Sequence, residues 1–480
     1  MSPNAVPTPP AIAGPARIVI VGGGYVGMYA ALRLQKKLKA DEASVTVIDP
    51  QANMTYQPFL PEAAAGSIEP RHVVVPLRKV LDRCHILTAR VTAISRERRE
   101  VSIMTAAGEE RRIGYDVLVV APGSVARTLP IPGLAENGIS FKTVAEAIYL
   151  RNHVLSLMDA AASTEDAAMR RKMLTFLVVG GGYAGVEALA ELADMARYAS
   201  QYYENIERTD LRWVLVEAAG RIMPEVSAPM GRYTVERLME SGIEVFLDTR
   251  VESMEKGHVV LDCLDENGRA TEFDTDTIVW TAGVKPNPML DETDLPRDDK
   301  GRVICSAELQ VEGSPEVFSA GDCASVPDLS KDDPDARTSP SAQHAVRQAK
   351  VLADNIMAHL RGKPTKKYEH AYVGSVASLG LYKGVAEVYG VKLRGVAAWF
   401  MHRTYHLSRM PTFNRKFRVV SDWTQALFFR REVVALEQIH DPRAEFNRAI
   451  GAPPPGREAL PAEQPVREEA SRAASEAGSA

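Results

Sequence analysis

Two glycine-rich turns, each followed by a strand that ends in an acid, are the residues of this chain best suited to chemistry. The first turn is Gly22-Gly23-Gly24-Tyr25-Val26-Gly27, which follows the β-branched run of residues 18–21. The next strand ends at Asp49, 27 residues after Gly22. A strand, a G-x-G-x-x-G turn, a helix and an acid-ended strand together are typical of a dinucleotide-binding unit.

Each position of this first unit has a physical role. We expect Gly22 to allow the tight turn, Gly24 to let a pyrophosphate approach the backbone, and Gly27 to let helix and strand pack closely. The helix N-terminus offers unpaired N–H groups and a positive dipole end to phosphates. Asp49 can accept hydrogen bonds from ribose hydroxyl groups. The alternative, a glycine-rich turn without a ligand, is disfavoured by the complete context.

The same arrangement recurs in the middle of the chain. Residues 174–179 form a second apolar run, which leads into Gly180-Gly181-Gly182-Tyr183-Ala184-Gly185. A helix is expected at about residues 186–199, and the next strand ends at Glu217. That acid lies 37 residues after the first glycine, against a usual interval of about 20. We therefore expect an insertion around residues 202–210.

The acid of the second unit bears on which nicotinamide the chain prefers. Glu217 would repel the 2′-phosphate of NADPH, which usually requires an arginine, and therefore favours NADH. Arg221 lies close enough in the sequence to weaken that preference. Two such units in one chain imply two dinucleotides, of which one can be a tightly held flavin and the other a nicotinamide that exchanges.

Three more strand-like runs end in turns that could close over these dinucleotides. Residues 117–120 lead into Ala121-Pro122-Gly123-Ser124, and residues 278–281 lead into Ala282-Gly283. A third run ends in Gly321-Asp322. An acid on such a turn commonly meets a sugar or ribityl hydroxyl, and the alternative is an aspartate that only stabilises the turn.

Composition limits the class of protein. The 480 residues are enough for two or three domains, and 45% hydrophobic with 25% charged residues fits a globular chain. A net charge of −5 argues against a nucleic-acid-binding protein. The four cysteines lie far apart without metal-type spacing, which predicts no metal site and fits a reducing, cytoplasmic setting. No apolar run reaches the roughly 18 residues of a spanning helix.

Residues 391–432 differ from the rest of the chain. They hold nine Lys or Arg against two acids, a net charge of +7, with aromatic side chains interleaved. Two amphipathic helices, at about residues 396–407 and 416–429, would present rings beside cations. This composition predicts an interfacial anchor on anionic lipid, at the cytoplasmic face of the cell membrane. The alternative is a basic face on a helix pair that forms a homodimer.

The whole pattern resembles the two-dinucleotide flavoproteins that include glutathione reductase. Within them, residues 17–436 most resemble the type II NADH:quinone oxidoreductases, the single-subunit, non-proton-pumping NADH dehydrogenases of respiratory chains. The most specific segments of this resemblance are Gln57-Pro58-Phe59-Leu60-Pro61-Glu62 with Gly66, residues 180–187, residues 317–324, residues 342–348 and residues 374–380. The resemblance implies FAD and NADH as cofactors and a lipid-soluble quinone as electron acceptor.

The resemblance assigns roles to particular positions. The residues it implies for FAD are Gly22, Gly24, Gly27, Asp49, Ala121, Gly123, Gly321 and Asp322, with Ala342 and Gln343 at the pyrimidine edge of the flavin. The residues it implies for NADH are Gly180, Gly182, Gly185, Glu217, Ala282 and Gly283. It places Glu187 near the flavin and nicotinamide, where the alternative role is to favour the helix dipole.

The candidate catalytic residues are Glu187, Gln343 and Arg347. The resemblance puts Gln343 at the mouth of a quinone tunnel. Several family members carry a second glutamine four residues later, on the same helix face. This chain has Arg347 there and Gln348 one residue further on, so the quinone contacts stay open.

We therefore predict an α/β flavoprotein of the glutathione reductase type, with two Rossmann-like dinucleotide-binding domains and a C-terminal amphipathic membrane-anchoring segment. The expected segments are a disordered N-terminus (1–16), an FAD domain in two parts (17–143 and 303–390), an NADH domain (144–302), the membrane-associated segment (391–449) and a disordered tail (450–480).

Three other functions compete with this prediction. A disulfide reductase needs a C-x₄-C motif soon after the first acid, and residues 51–65 contain no cysteine. A sulfide:quinone oxidoreductase needs cysteines flanking the flavin, and only Cys323 lies in a flavin-lining motif. An NADH-sensing flavoprotein would need neither an acceptor site nor an anchor.

Overall fold

The structure is a computed structural model that describes residues 14–264, 269–370, 374–429, 431–436 and 449. Most of the predicted disordered N-terminus, residues 1–13, lies outside the described residues, as does the predicted tail at 450–480. The anchor segment is described as far as residue 436, apart from Arg430. None of the helices among these residues is long and apolar enough to cross a membrane.

The elements of the first part of the chain are β1 (Ala16–Val21), α1 (Tyr25–Lys37), β2 (Ala43–Asp49), β3 (Asn53–Thr55), α2 (Leu60–Ala64), β4 (Val74–Pro76), α3 (Leu77–Val80), β5 (His85–Ser95), β6 (Glu100–Thr105), β7 (Glu110–Gly114), β8 (Val117–Val120) and β9 (Ser124–Ala126). Those of the middle part are α4 (Leu134–Asn137), β10 (Gly138–Ser140), α5 (Val144–Ala162), α6 (Ala167–Met173), β11 (Thr175–Val179), α7 (Tyr183–Ala199), β12 (Arg212–Val216), α8 (Ala228–Glu240), β13 (Ile243–Phe246), β14 (Val251–Ser253), β15 (His258–Leu264), β16 (Ala270–Asp274), β17 (Thr277–Trp280) and β18 (Val284–Pro286). The last part contains β19 (Val303–Ile304), β20 (Gln310–Val311), β21 (Ser314–Ser319), β22 (Ala324–Ser325), α9 (Ala342–Leu360), β23 (Gly374–Ser378), β24 (Gly384–Val388), β25 (Val391–Arg394), α10 (Gly395–Arg409) and α11 (Phe413–Phe429).

The first large sheet has eight strands in the order β20-β21-β8-β1-β2-β5-β6-β7. Its central strands are parallel, and Ile18 of β1 is in register with Val45 of β2 and Val117 of β8. Strand β21, from late in the chain, joins beside β8 in the same direction. Because parallel strands end at one edge, the turns after β1, β8 and β21 and the acid of β2 come together there.

A second sheet of five parallel strands has the order β10-β17-β11-β12-β13. Leu177 of β11 lies between Ile278 of β17 and Val214 of β12, and all three are buried. Near-continuous apolar strands of this kind are typical of parallel sheets covered on both faces. The two sheets confirm the predicted α/β fold with two Rossmann-like units.

Two local predictions differ in detail from the structure. Helix α7 begins at Tyr183, three residues before the expected start. The last glycine of the motif, Gly185, already lies inside the helix. The expected insertion at residues 202–210 is a loop flanked by two short 3₁₀ turns, Ser200–Tyr202 and Arg208–Asp210.

The C-terminal part is built into the body of the protein. Strands β23, β24 and β25 form an antiparallel sheet, so β25 continues the sheet beyond the predicted boundary at residue 390. Helix α10 packs on this sheet through Ala398, which is fully buried against Val376 and Ala386. Helices α10 and α11 form where two amphipathic helices were predicted.

Candidate active site

The first glycine turn is closed on one side and open on the other. Gly22 has a φ of +98°, and a β-carbon there would lie 2.2 Å from the carbonyl oxygen of Ala121. A β-carbon at Gly27 would lie 1.8 Å from the carbonyl oxygen of Gly22. By contrast, a β-carbon at Gly24 or Gly123 would meet no atom within 4 Å. The turn therefore packs tightly beneath and leaves a cradle above, at the N-terminus of α1, which fits a pyrophosphate.

Asp49 is held directly beneath this cradle. Its Oδ2 accepts a hydrogen bond of 2.7 Å from the backbone N–H of Gly23, and its Oδ1 accepts one of 2.7 Å from Gln51. Burial raises the pKa of Asp49 above its ordinary value. Each carboxylate oxygen retains acceptor capacity, so the acid is both fixed by the turn and able to receive a ribose hydroxyl.

The second glycine turn repeats this geometry. Gly180 has a φ of +113°, and a β-carbon there would lie 2.7 Å from Oγ1 of Thr281 and 2.8 Å from the backbone nitrogen of Ala282. A β-carbon at Gly182 or Gly283 would meet no atom within 4 Å. The two units thus share the same tight floor and the same open cradle.

Glu217 is clasped in the same way as the acid of the first unit. Its Oε2 accepts a hydrogen bond of 2.6 Å from the backbone N–H of Gly181, and its Oε1 accepts one of 2.8 Å from Ala219. The guanidinium of Arg221 instead donates to backbone carbonyls of its own loop, those of Pro224 and Val226. The arginine that could have received a 2′-phosphate is therefore committed to the loop.

The two cradles meet along a short strand pair. Strands β9 and β18 are antiparallel, and Ser124 pairs with Pro286. The N–H of Asn287 donates to the carbonyl oxygen of Gly123 at 3.1 Å, and the N–H of Arg127 donates to that of Gly283 at 3.1 Å. The glycine turns that follow β8 and β17 are thus directly linked by backbone hydrogen bonds.

Asp322 lies beside the turn that follows β8. Its Oδ2 accepts a hydrogen bond of 2.6 Å from the hydroxyl of Ser124, and the amine of Lys142 lies 2.6 Å from that same hydroxyl oxygen. Burial lowers the pKa of Lys142 below its ordinary value. The polar groups of the β8 and β21 turns therefore converge on one point of the cradle.

Helix α9 begins with the predicted pair Ala342 and Gln343. Its N-terminus is capped by Ser341, whose hydroxyl accepts from the N–H of His344. The side-chain amide of Gln343 donates to the carbonyl oxygen of Gly374 at 3.1 Å. Arg347 donates back to the carbonyl oxygen of Gln343 at 3.0 Å, so these two candidate residues share one side of the helix.

Gln348 has a structural role instead. It is fully buried, and its Oε1 accepts a hydrogen bond of 2.7 Å from the N–H of Gly321. Its amide donates to Thr338 at 3.3 Å. Gln348, which is one residue beyond the position of the second family glutamine, therefore fixes the turn that contains Asp322. Arg347 occupies the family position itself, on the same side of the helix as Gln343.

Glu187 is the buried carboxylate of the site. Only 7% of it is exposed, and its Oε1 accepts a hydrogen bond of 2.8 Å from the N–H of Ser378. Nε2 of His402 lies 3.0 Å from the same oxygen. Both candidate residues thus contact strand β23: Gln343 bonds to its first residue, Gly374, and Glu187 bonds to its last, Ser378.

His402 is the main residue that the sequence analysis missed. It is 1% exposed. Burial alone would lower its pKa, but the adjacent Glu187 carboxylate, with weaker contributions from Glu62 and Glu191, raises the pKa of His402 above its ordinary value. The adjacent carboxylate therefore favours the charged form of a histidine that is shielded from water.

Two more buried acids hold cations from the C-terminal segment. Arg403 donates to Oε2 of Glu62 at 2.8 Å, and the indole N–H of Trp423 donates to the same oxygen at 2.8 Å. Arg431 donates to Oε2 of Glu191 at 2.7 Å. These cations were assigned to a lipid-facing anchor from composition, and that part of the interpretation is wrong for both arginines because they are buried and paired.

A sequence signal for these partners did exist. Glu187 and Glu191 are four residues apart and so lie on one face of a helix that is otherwise almost wholly apolar. Buried carboxylates require counter-charges. The excess of cations in residues 391–432 was the available source.

The cysteines do not equip this site for sulfur chemistry. All four are free, and Cys323, the one in a flavin-lining motif, is fully buried against the carbonyl oxygens of Val120 and Ala320. Burial raises the pKa of Cys323 to about 11. Its thiol is therefore a poor nucleophile at neutral pH.

Comparison with known proteins places this geometry in a family. Residues 16–349 match the pyridine nucleotide-disulphide oxidoreductase family. A type II NADH:quinone oxidoreductase from Staphylococcus epidermidis is 31% identical over 392 residues, which cover 81% of this chain and 93% of that protein. The corresponding enzyme of Mycobacterium tuberculosis is 30% identical over 437 residues, with 88% and 90% covered.

Solved structures agree in fold. The structure of NDH2 from Plasmodium falciparum in complex with NADH superposes with a TM-score of 0.78 at 18% identity, covering 87% of this chain and 99% of that chain. The sulfide:quinone oxidoreductase of Aquifex aeolicus has a TM-score of 0.65 at 16% identity, with 87% and 96% covered. Together with the sequence matches, these findings confirm the predicted resemblance. The chain belongs to the type II NADH:quinone oxidoreductase family of the pyridine nucleotide-disulphide oxidoreductases.

Proposed function

We propose that this protein oxidises NADH at a bound FAD and delivers the two electrons to a membrane quinone without pumping protons. The observation that carries the proposal is a pair of linked glycine turns, each with an open side. In each turn, a backbone N–H holds the acid that ends the next strand. A bound flavin supplies the two-electron relay between nicotinamide and quinone. The protein supplies binding, orientation and the handling of protons.

The first cradle has the features that FAD requires. The open positions at Gly24 and Gly123 admit a pyrophosphate, Asp49 is placed for a ribose, and Asp322 for the ribityl or pyrophosphate region. We assign FAD to residues 17–143 and 303–390, which supply the strands of the eight-stranded sheet. Ala342 and Gln343 would meet the pyrimidine edge from the N-terminus of α9.

The second cradle, in residues 144–302, is assigned to NADH. Gly182 and Gly283 leave the space for its pyrophosphate and nicotinamide halves, and Glu217 receives the adenosine ribose. Because Arg221 is bonded to its own loop, this arginine does not offset the repulsion between Glu217 and a 2′-phosphate.

The acceptor side is assigned to Gln343, Arg347 and the Glu187–His402 pair. An amide side chain both donates and accepts, so Gln343 can hold a quinone carbonyl. Quinone reduction consumes protons, and His402 can hold one at Nε2, which lies 3.0 Å from Oε1 of Glu187. Because both residues are buried, that proton is protected from exchange with bulk water until a substrate reaches it.

We assign membrane attachment to α11 and place the protein on the cytoplasmic face. The helix exposes Phe413, Phe417, Leu427 and Phe428, with exposed fractions from 65% to 82%. Arg418 is exposed on the same helix. An apolar, aromatic face flanked by cations favours the interface of an anionic bilayer. Pairing of two copies through this face is the competing assignment.

Anaerobic stopped-flow spectroscopy tests the proposed function. NADH should bleach the flavin absorbance, and a soluble short-chain quinone should restore it within one turnover. NADPH should have a kcat/KM at least about tenfold lower, roughly 1.4 kcal/mol, and Glu217→Gln should narrow that gap. Equal kcat/KM for the two nucleotides would overturn the nucleotide assignment. A flavin that NADH reduces but no quinone reoxidises would instead mark an NADH sensor.

A further inference from the structure

Arg431 lies in a place that membrane attachment does not explain. Phe429, at the end of α11, is 82% exposed, whereas Arg431, two residues later, is 8% exposed. The chain therefore turns from the surface into the protein interior directly after the amphipathic helix. Glu432 fixes this turn, because Arg151 donates to its carbonyl oxygen at 2.9 Å and a β-carbon at Gly66 would lie 2.4 Å from that same oxygen.

The guanidinium of Arg431 makes two hydrogen bonds to one residue of α7. It donates to Oε2 of Glu191 at 2.7 Å and to the backbone carbonyl oxygen of Glu191 at 3.0 Å. The carboxylate is 1% exposed. Two contacts to a single residue in the interior fix the geometry of both partners.

Ser378 connects this pair to the acceptor side. Its hydroxyl donates to Oε1 of Glu191 at 2.9 Å, and its backbone N–H donates to Oε1 of Glu187 at 2.8 Å. The Glu187 oxygen is the one that faces His402. A continuous chain of contacts therefore runs from Arg431 to the buried proton-holding pair.

We propose that Arg431 is a positioning residue for the quinone half-reaction: by neutralising Glu191 and fixing Ser378, it sets how tightly the Glu187–His402 pair holds its proton. This inference rests on the proposed function of that pair. It gives the segment after α11 a role in the reaction that is separate from lipid binding.

The electrostatic argument has a definite sign. The titratable or charged groups that interact with the two acids of α7, or with the partners of these acids, are Glu62 on α2, His402, Arg403 and His406 on α10, and Arg431 itself. Arg151 on α5 contacts the backbone next to Arg431, at the carbonyl oxygen of Glu432. Glu191 already raises the pKa of His402. Without Arg431, the negative charge of Glu191 would act unopposed, and His402 would bind its proton more tightly.

The size of the effect follows from the short path through Ser378. At an effective dielectric constant of about 20, a unit charge roughly 10 Å away shifts a pKa by about one unit. The pH midpoint of flavin reoxidation by quinone should therefore rise by about one unit when Arg431 loses its charge.

The test compares the pH profiles of the two half-reactions in the full-length holoenzyme. In Arg431→Met, reduction by NADH should stay within about twofold of the wild type, while the midpoint of reoxidation by a water-soluble short-chain quinone rises. Arg431→Lys, which keeps the charge, should retain the wild-type midpoint. Glu191→Gln added to Arg431→Met should bring the midpoint back, because it removes the excess charge.

The matched control is Arg361→Met, which breaks an arginine–glutamate pair with Glu42 on the surface and should leave the midpoint unchanged. Flavin content and near-ultraviolet circular dichroism verify that each variant is folded. An unchanged midpoint in folded Arg431→Met, or a double variant that is not restored, would overturn the inference. A wild-type enzyme that no quinone reoxidises would count against the proposed function instead.

Discussion

Membrane attachment can be tested on the exposed face of α11 without touching the active site. The change is a fourfold replacement by serine of Phe413, Phe417, Leu427 and Phe428. Their exposed fractions are 82%, 65%, 65% and 76%, so their loss leaves the packed interior intact. The other three follow Phe413 by 4, 14 and 15 residues, which keeps all four on one face of the helix, within about 100° of one another.

The magnitude follows from the apolar area these side chains can bury in lipid. Full burial of a Phe or Leu side chain is worth about 1.5–3 kcal/mol. If insertion at the interface captures half of that, the four substitutions should cost roughly 3–6 kcal/mol, which corresponds to about a 10²- to 10⁴-fold weaker partition.

The assay is flotation with vesicles that contain anionic lipid, combined with turnover using ferricyanide. The fourfold variant should stay in the soluble fraction while ferricyanide turnover is retained. Serine at Met169, Tyr202 and Met239, which are 48%, 63% and 58% exposed elsewhere on the surface, is the matched control and should still float. A fourfold variant that floats as well as the wild type would refute the attachment. If that variant instead changes from dimer to monomer in sedimentation, the face joins two copies.

Truncation before Val391 would not give this answer. It would also delete His402, Arg403 and Arg431, which are the buried partners of three interior acids. Removing one partner of a buried ion pair typically costs about 3–5 kcal/mol, because the other charge is left uncompensated. A truncated protein would therefore lose stability and activity whether or not it had bound lipid.

Three further outcomes are expected. Gly24→Val should give folded protein with little bound FAD, because the new side chain fills the open cradle without meeting protein atoms. Gly182→Val should keep FAD and raise the KM for NADH. The reverse pattern in flavin absorbance and NADH kinetics would show that the two cofactor assignments are exchanged. Gln343→Ala should slow reoxidation by quinone and leave reduction by NADH nearly intact, and equal slowing in stopped-flow would make the residue structural. Because the pKa of His402 is raised, its charged form is present at low pH and is lost as the pH rises through that pKa, so reoxidation should fall over this range; His402→Gln should flatten the profile, and an unaltered profile would remove the histidine from proton transfer.

Both cradles could be predicted from the sequence because their determinants are local. A glycine turn and the acid that it holds lie within one strand-helix-strand unit, and the structure repeats the predicted arrangement at Asp49 and Glu217. The buried, structural role of Gln348 could not be predicted in the same way. Its partner, the N–H of Gly321, lies 27 residues away, and only the packing of α9 against that turn decides which glutamine faces inward.

The C-terminal segment shows where composition misleads. Arg403 lies 341 residues from Glu62, and Arg431 lies 240 residues from Glu191. Nothing near these arginines in the sequence separates them from the exposed cations of the same run. Net charge per segment predicts attraction to a surface, but it does not identify which cations are used inside the protein.

The C-terminal segment has two proposed roles, membrane attachment and control of the proton-holding pair, and different residues serve each role. The outward face of α11 carries rings in a stripe suited to a bilayer, while the residues on either side of that helix, His402 and Arg431, hold the acids of α7. An enzyme that reduces a lipid-soluble acceptor needs both a way to the hydrocarbon and a controlled source of protons beside it. Placing both in one short stretch ties the geometry of the proton-holding pair to the segment that we propose as the membrane contact. The two duties should therefore separate cleanly in variants: changes on the exposed face should alter where the protein is found, and changes at Arg431 should alter the pH at which it works.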